Sequence, residues 1–163
     1  MSQVKKINNP FIKHKGDQYN CIGCSPNNKT GFQLEFYSDG ESVFSYWIPK
    51  VEFEGYMNVV HGGIQATLMD ELASWFVYSM LDTAGVTSKM EIQYHNPLYI
   101  SAGEMKITAR LKSKNKKHAL IETEIENSKG IVCSSAIVEY YLFPPNVARV
   151  KYNYPGKDKF WDI

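Results

Sequence analysis

The sequence has little of what would tie a protein to a disulfide framework, a nucleic acid or an export pathway. Its 163 residues include only three cysteines, an odd number that does not fit the disulfide framework of a secreted protein. Basic and acidic side chains number 18 and 17, so a net charge of +1 provides no overall attraction to nucleic acid. The first twenty residues lack the apolar core of a signal peptide. We therefore expect a protein of the reducing cytoplasm with no nucleic-acid partner.

The sequence also lacks a long apolar run that is free of charge. Its most apolar stretch, Ile64 to Leu81, carries Asp70 and Glu71 near the middle. Two carboxylates at the centre of a bilayer would cost several kcal/mol, so this stretch is not expected to cross a membrane. No membrane partner is predicted.

The length and composition fit a single domain over residues 1–163. Apolar residues make up 44% of the chain and charged residues 21%, which is the balance of a globular protein with its own core. Residues 1–30 are polar and rich in turn formers, and we interpret them as an irregular lead-in whose apolar side chains, Phe11, Ile12, Tyr19 and Ile22, are available to dock onto a core. Residues 146–163 are interpreted as an aromatic but irregular tail.

Hydrophobic patterning predicts strands on both sides of one long helix. Strands are predicted at residues 32–37 and 42–48, and the Asp39-Gly40 pair between them favours a hairpin turn. Residues 62–81 contain good helix formers, no proline and apolar side chains nearly all round, which is typical of a buried helix. Four more strands follow, at residues 87–95, 104–111, 118–126 and 131–143. The predicted fold class is therefore α+β, with an antiparallel sheet curled around one central helix.

Two glycines follow a histidine at the predicted helix start, in the order His61-Gly62-Gly63. The first backbone N–H groups of a helix have no partner within the helix, and the helix dipole makes this end partly positive. Because glycines leave these N–H groups uncrowded, an anion or a developing oxyanion is favoured there. His61 is placed to donate a hydrogen bond to the same oxygen or to carry a proton.

Asp70 is a carboxylate on a helix with almost no polar face. A buried charge is costly unless it is paired or used, which makes Asp70 a candidate catalytic group and its neighbour Glu71 a rival. His61 and Asp70 are nine residues apart, about 13 Å along the helix axis and roughly 180° around it. One chain points them to opposite sides, so a site that uses both must be shared between two chains of a symmetric dimer.

The residues around this helix start resemble the central signature of an enzyme family. The pattern F-E-G-Y-x-x-x-x-H-G-G-I-x-A-T-L-x-D-E, at residues 53–71, is similar to that of the hotdog-fold acyl-CoA thioesterases of the phenylacetic-acid-degradation (PaaI-like) type. Cys21-x-x-Cys24-x-x-x-Asn28-x-x-Gly31 resembles an N-terminal motif found in many members. Thr87-x-x-Met90-x-Ile92-x-Tyr94-x-x-Pro97 resembles the strand after the helix. The resemblance covers about residues 21–140.

The resemblance implies a hotdog fold, a dimer with two interfacial sites, and hydrolysis of an acyl-CoA to a free acid and coenzyme A. It assigns His61 and Gly62 to polarise the thioester carbonyl. It assigns Asp70 of the other subunit to act as general base or nucleophile, and Thr87 to position the water. No cofactor and no metal is expected, because coenzyme A is part of the substrate.

Two further residues complete the expected site, and one position departs from the family. Gly63 and Glu71 are expected to bind the substrate. Several relatives have an asparagine six residues before the histidine, where this chain has Gly55. Asn58 lies only three residues before the histidine, so that role is not transferred to it.

Several alternatives remain open at the level of sequence. The same fold and residues would also serve a hydratase or dehydratase acting on acyl thioesters, or a non-catalytic module that binds acyl-CoA. Cys21 and Cys24 lack the second closely spaced pair that a zinc site needs, and we interpret them as structural packing. The lysines of residues 112–117 either bind the phosphates of coenzyme A or belong to a solvated hairpin turn. A solvated turn is the more common role of such a run of lysines. The sequence leaves open which acyl group the substrate carries and whether the protein is a homodimer or a homotetramer.

Overall fold

A computed structural model describes residues 3–162, in which seven antiparallel strands curl around one long helix. The strands are β1 (Lys5–Ile7), β2 (Phe36–Ser38), β3 (Ser42–Trp47), β4 (Gly85–Tyr94), β5 (Met105–Lys114), β6 (His118–Glu126) and β7 (Val132–Leu142). The α-helices are α1 (Phe11–Lys15), α2 (Gly62–Met80) and α3 (Pro145–Tyr152). The order of strands in the sheet is β1-β2-β3-β5-β6-β7-β4. The predicted antiparallel sheet around a central helix is confirmed.

The helix α2 forms the centre of the core. Leu68, Met69, Leu72 and Trp75 are fully buried, as the apolar sequence of this helix predicts. Inward-facing side chains of β5, β6 and β7 cover one side of α2. Within residues 3–162, no helix has the length and hydropathy needed to span a bilayer.

The lead-in and the tail are more regular than predicted, because they cover the side of α2 that the sheet leaves open. The lead-in adds β1 to the sheet beside β2, and the tail contains α3. Phe11 from the lead-in and Phe160 from the tail both meet the Trp75 ring edge-on, with centroid distances of 6.2 and 5.6 Å. The two segments also join, since the Asn8 N–H donates to the Phe160 carbonyl at 2.9 Å. The structure thus corrects the prediction of irregular ends at β1, α1 and α3, while residues 19–30 contain no helix or strand, as predicted.

The hairpin turn predicted at Asp39-Gly40 is confirmed, but the strand before it is shorter than predicted. β2 begins at Phe36 rather than at residue 32. Gln33 has a φ of 51°, a left-handed conformation that a regular strand does not contain. The Phe32 N–H donates to the Ile22 carbonyl at 2.8 Å instead of to a strand. This stretch ties the sheet to the segment that carries Cys21 and Cys24.

The strand β4 lies at one end of the sheet. Within residues 3–162 it pairs only with β7, so the backbone groups along its other side have no strand partner. It is ten residues long, and Val86 and Tyr94 on it are exposed. A long unpaired edge of this kind is a template for pairing with another strand.

Candidate active site

The start of α2 is shaped by His61, which caps the helix. The Nδ1 atom of His61 accepts a hydrogen bond from the Gly63 N–H at 2.9 Å. Because Nδ1 accepts, the proton of the neutral imidazole is on Nε2, and the exposed ring offers this N–H to a ligand. Gly63, predicted to bind the substrate, thus uses its own N–H inside the protein.

The Gly62 N–H is the first free donor of α2. Among the hydrogen bonds of residues 3–162 it has no acceptor, as expected for the first turn of a helix. The Tyr94 hydroxyl donates to the Gly62 carbonyl at 2.8 Å. A Cβ atom at position 62 would lie 3.1 Å from the Tyr94 hydroxyl oxygen, so glycine permits this close approach. The start of the helix therefore presents a backbone N–H beside an imidazole N–H.

The loop before the helix places Gly55 against the histidine. A Cβ atom at position 55 would lie 3.3 Å from Cδ2 of His61, so the position where several relatives have asparagine adjoins the imidazole. Asn58 is turned away to Ser101, donating from Nδ2 to Oγ at 2.8 Å and accepting the Ser101 N–H on Oδ1 at 2.9 Å. Both polar ends of its side chain are therefore used to hold the loop.

Asp70 is half-buried in the middle of α2 and is held by two hydroxyl groups. Thr87 Oγ1 donates to Oδ1 of Asp70 at 2.6 Å, and the Tyr140 hydroxyl donates to the same oxygen at 2.9 Å. Burial raises the pKa of Tyr140, and the charge of Asp70 raises it further, so this hydroxyl stays protonated and remains a donor. Both bonds end on Oδ1, which leaves Oδ2 for a water molecule or a substrate.

A β-bulge turns Thr87 towards Asp70. Strict alternation from the inward-facing Met90 would point Ser88, not Thr87, at the helix. The register of β4 against β7 shifts at this point, and Thr87 lies opposite the buried Tyr140. The one extra residue of the bulge therefore brings the Thr87 hydroxyl into the site.

One chain does not bring His61 and Asp70 together. Because α2 is one continuous helix, the two residues lie about 13 Å apart along its axis and on opposite sides of it. Each chain thus carries two separate half-sites. The donor half-site is His61 and Gly62, and the acid half-site is Asp70, Thr87 and Tyr140.

Glu71, predicted to bind the substrate, points into the protein. Its Oε1 atom accepts the Trp75 Nε1–H at 3.0 Å and lies 3.5 Å from Sγ of Cys21. Burial, together with the charge of the nearby Cys21 sulfur, raises the pKa of Glu71 to about 8. These contacts favour a role in the interior and give no support to a substrate-binding role.

Two tyrosines that contact the half-site residues, Tyr140 and Tyr94, have no role predicted from the sequence. Tyr140 is at an inward position of the alternating β7 segment, which is a signal for burial. Its contact with Asp70 depends on how β4 and β7 are paired, and a single sequence does not show that register. Tyr94 belongs to a motif identified in the sequence, but its bond to Gly62 joins elements 32 residues apart.

The sequence matches the family model of the thioesterase superfamily over residues 57–134, from the loop before α2 to the start of β7. This match includes both half-sites except Tyr140. Among curated proteins, none matches the sequence.

Three solved structures share the arrangement of helix and sheet. The PaaI protein from the phenylacetic acid degradation operon of E. coli has a TM-score of 0.61 at 16% identity, covering 69% of this chain and 81% of that one. A hypothetical thioesterase from Streptococcus pneumoniae, solved with coenzyme A, has a TM-score of 0.59 at 20% identity, covering 64% of this chain and 80% of that one. The protein smu.793 from Streptococcus mutans, bound to acetyl-CoA, has a TM-score of 0.58 at 17% identity, covering 63% of this chain and 82% of that one. At these identities the likeness concerns the fold.

Proposed function

The chain has the hotdog fold and resembles the PaaI-like thioesterases, and we propose that it is an acyl-CoA thioesterase. The reaction would cleave the thioester with water to a free acid and the thiol of coenzyme A. The observation that carries this proposal is the Asp70 carboxylate, which Thr87 and Tyr140 hold through Oδ1, while Oδ2 accepts no hydrogen bond from any residue of 3–162. The coenzyme A and acetyl-CoA bound to two structural neighbours support a CoA ester as the substrate class.

The proposed working unit is a homodimer in which each site combines the half-sites of two chains. Antiparallel pairing of β4 with the same strand of a second copy, about an axis at Glu91 and with Ser88 as the extra residue of the bulge, would set Thr87 opposite the partner's Tyr94. Directly opposite residues in an antiparallel pair project from the same face, about 5 Å apart. Since Tyr94 is bonded to Gly62, this pairing would bring the acid half-site of one chain beside the donor half-site of the other. The unpaired edge of β4 supports the arrangement.

The two half-sites supply complementary chemistry. The Gly62 N–H and the His61 Nε2–H would donate to the thioester oxygen, where negative charge develops as the carbonyl is attacked. Asp70 would act through Oδ2, either by taking a proton from the attacking water or by attacking the carbonyl itself. Thr87 gives its hydroxyl proton to Asp70 and keeps its lone pairs to accept a hydrogen bond from water. The coenzyme A sulfur leaves and takes up a proton as its thiol.

The cytoplasm is the proposed location. All three cysteines are free, and two of them lie close enough to react with each other. Free thiols, and cysteine pairs that are oxidised only transiently, are typical of reducing compartments.

Release of the coenzyme A thiol tests the proposed activity directly. Incubation of the protein with short, medium, long and aromatic acyl-CoA esters is expected to release thiol from at least one class. A colorimetric thiol reagent gives the rate, and an acyl-CoA incubated alone is the control. Interconversion of a 2-enoyl-CoA and a 3-hydroxyacyl-CoA without released thiol would instead identify a hydratase, and tight binding without turnover would identify a binding module.

Replacing Tyr140 with phenylalanine is expected to lower kcat about 10- to 100-fold with little change in KM. The variant keeps the buried ring and removes one of the two donors to Asp70. A hydrogen bond to a charged group is worth about 1.5–3 kcal/mol, and about 1.4 kcal/mol corresponds to tenfold in rate. The matched control is Tyr141→Phe, since that neighbouring side chain contacts His118 rather than Asp70. Equal kcat values for the two variants would show that Tyr140 does not position the acid.

A further inference from the structure

Two cysteines and a carboxylate meet on the side of α2 away from the acid half-site. The Sγ atoms of Cys21 and Cys24 are 3.0 Å apart, with the Cys24 thiol donating to Cys21. Oε1 of Glu71 lies 3.5 Å from Sγ of Cys21, and Trp75 donates to the same oxygen. Both cysteines are free, Cys24 is buried, and Cys21 is partly exposed.

A glycine allows the carboxylate to reach the two thiols. Gly23 lies between the cysteines, and a Cβ atom there would be within 2.6 Å of Oε2 of Glu71. Any larger residue at this position would push the Glu71 side chain out of the turn. The carboxylate is thus built into the turn that carries both sulfurs.

We propose that Cys21 and Cys24 are a reversible disulfide site that exchanges with small-molecule disulfides, with Cys21 as the attacking thiol, Cys24 as the resolving thiol and Glu71 as the proton donor. This proposal is independent of the thioesterase function. It replaces the interpretation of the two cysteines as packing alone, because packing does not require the carboxylate beside them.

The surroundings give the two thiols different roles. The hydrogen bond from Cys24, together with backbone N–H groups, lowers the pKa of Cys21 to about 5, so Cys21 is a thiolate at neutral pH. Burial raises the pKa of Cys24, which therefore keeps its proton. Two tyrosines, Tyr19 and Tyr78, lie near the cysteines and Glu71. Burial raises the pKa of both phenols, so both stay neutral. The partly exposed Cys21 is thus the nucleophile, and the buried Cys24 reacts only in the second step.

The exchange balances in two steps. The Cys21 thiolate attacks one sulfur of an incoming disulfide, forms a mixed disulfide and expels the first thiolate, which takes the proton of Glu71. The loss of the Cys21 charge removes one cause of the raised Glu71 pKa, and the ionised carboxylate accepts the proton of Cys24. Cys24 then attacks the Cys21 sulfur, and the second small thiolate leaves with that proton. The dithiol has lost two electrons to the incoming disulfide, and Glu71 ends as a carboxylate.

Zinc is the competing occupant of these three side chains, and the geometry fits it less well. A tetrahedral zinc ion with Zn–S bonds of about 2.3 Å holds its sulfurs about 3.8 Å apart. The two sulfurs here are 3.0 Å apart, and Cys21, Cys24 and Glu71 provide only three of four ligands. Contact between the sulfurs is what disulfide formation requires.

Equilibration of the full-length protein with graded ratios of reduced to oxidised glutathione tests the site. After acid quenching and alkylation with N-ethylmaleimide, peptide mass mapping is expected to show a Cys21–Cys24 disulfide that reverses as reduced glutathione is added. The Cys24→Ser variant is expected to stop at a glutathione adduct on Cys21, because the resolving thiol is missing. The matched control is Cys133→Ser, which removes the third cysteine, buried in β7, and is expected to behave as the unaltered protein.

A second measurement needs no variant. The alkylation rate of Cys21 by iodoacetamide is expected to change less than about twofold between pH 6 and pH 8, whereas an ordinary thiol speeds up roughly 75-fold. An ordinary pH dependence would overturn the assignment of Cys21 as the attacking thiol. Stoichiometric binding of zinc that protects both cysteines, with no disulfide at any glutathione ratio, would overturn the redox site as a whole.

Discussion

The Asp70→Asn variant is expected to hydrolyse acyl-CoA about a thousandfold more slowly than the unaltered protein, which is within the usual contribution of a general base. Asparagine is the same size and still offers Oδ1 to Thr87 and Tyr140, so the site should keep its shape. What it loses is the negative charge and the basic Oδ2 atom. The rate of thiol release measures the effect, and thermal unfolding shows whether the fold is intact.

The control for this variant is Glu41→Gln, which removes an exposed carboxylate in the turn between β2 and β3 without touching either half-site or β4. We expect it to keep nearly full activity. Full hydrolysis by the Asp70→Asn variant would mean that another group activates the water, and the acid half-site would then need a different interpretation.

Mixing two inactive variants is expected to restore activity if each site is shared between chains. His61→Ala damages only the donor half-site and Asp70→Asn only the acid half-site. After the two variants are unfolded and refolded together, half of the dimers would be mixed, and each mixed dimer would contain one intact site out of two. The expected activity is therefore about one quarter of that of the unaltered protein, measured as thiol release.

A second mixture separates this result from simple rescue by refolding. Asp70→Asn mixed with Thr87→Ala damages the acid half-site in both chains, and we expect no recovery. A mass spectrum of the intact dimers shows whether mixed dimers have formed. Mixed dimers of His61→Ala and Asp70→Asn without activity would rule out a shared site.

The central helix was predictable from the sequence because its signals are local. Residues 62–81 were predicted and Gly62–Met80 are observed. The apolar run and the absence of proline both act within a few residues of the chain. The Asp39-Gly40 turn is of the same kind, since the bonds that form it lie within four residues.

The lead-in and the tail could not be predicted in this way. Phe160 is buried against Trp75 because α2 has an apolar side that the sheet leaves open. Nothing in a short polar segment shows that such a surface exists elsewhere in the chain. Elements that depend on a distant partner carry only a weak pattern of their own.

The candidate site shows the same division. The nine-residue spacing of His61 and Asp70 was enough to predict that one chain cannot bring them together. The partnership of Asp70 with Tyr140 joins residues 70 positions apart, and the direction of Glu71 depends on which segment covers that side of α2. Both require the register of the sheet, which long-range packing decides.

The bulge at Ser88 also bears on how this protein and its relatives diverge. In a strand with strict alternation, gain or loss of one residue turns every side chain beyond it to the opposite face. Here such a change would affect only the first residues of β4, because Met90 and Ile92 keep the rest of the strand packed on the core. A single insertion or deletion could therefore switch the Thr87 hydroxyl in or out of the site while the fold is preserved. When related sequences are aligned, the residue that corresponds to Thr87 is then better identified by its contact with the helix carboxylate than by its position in the alignment.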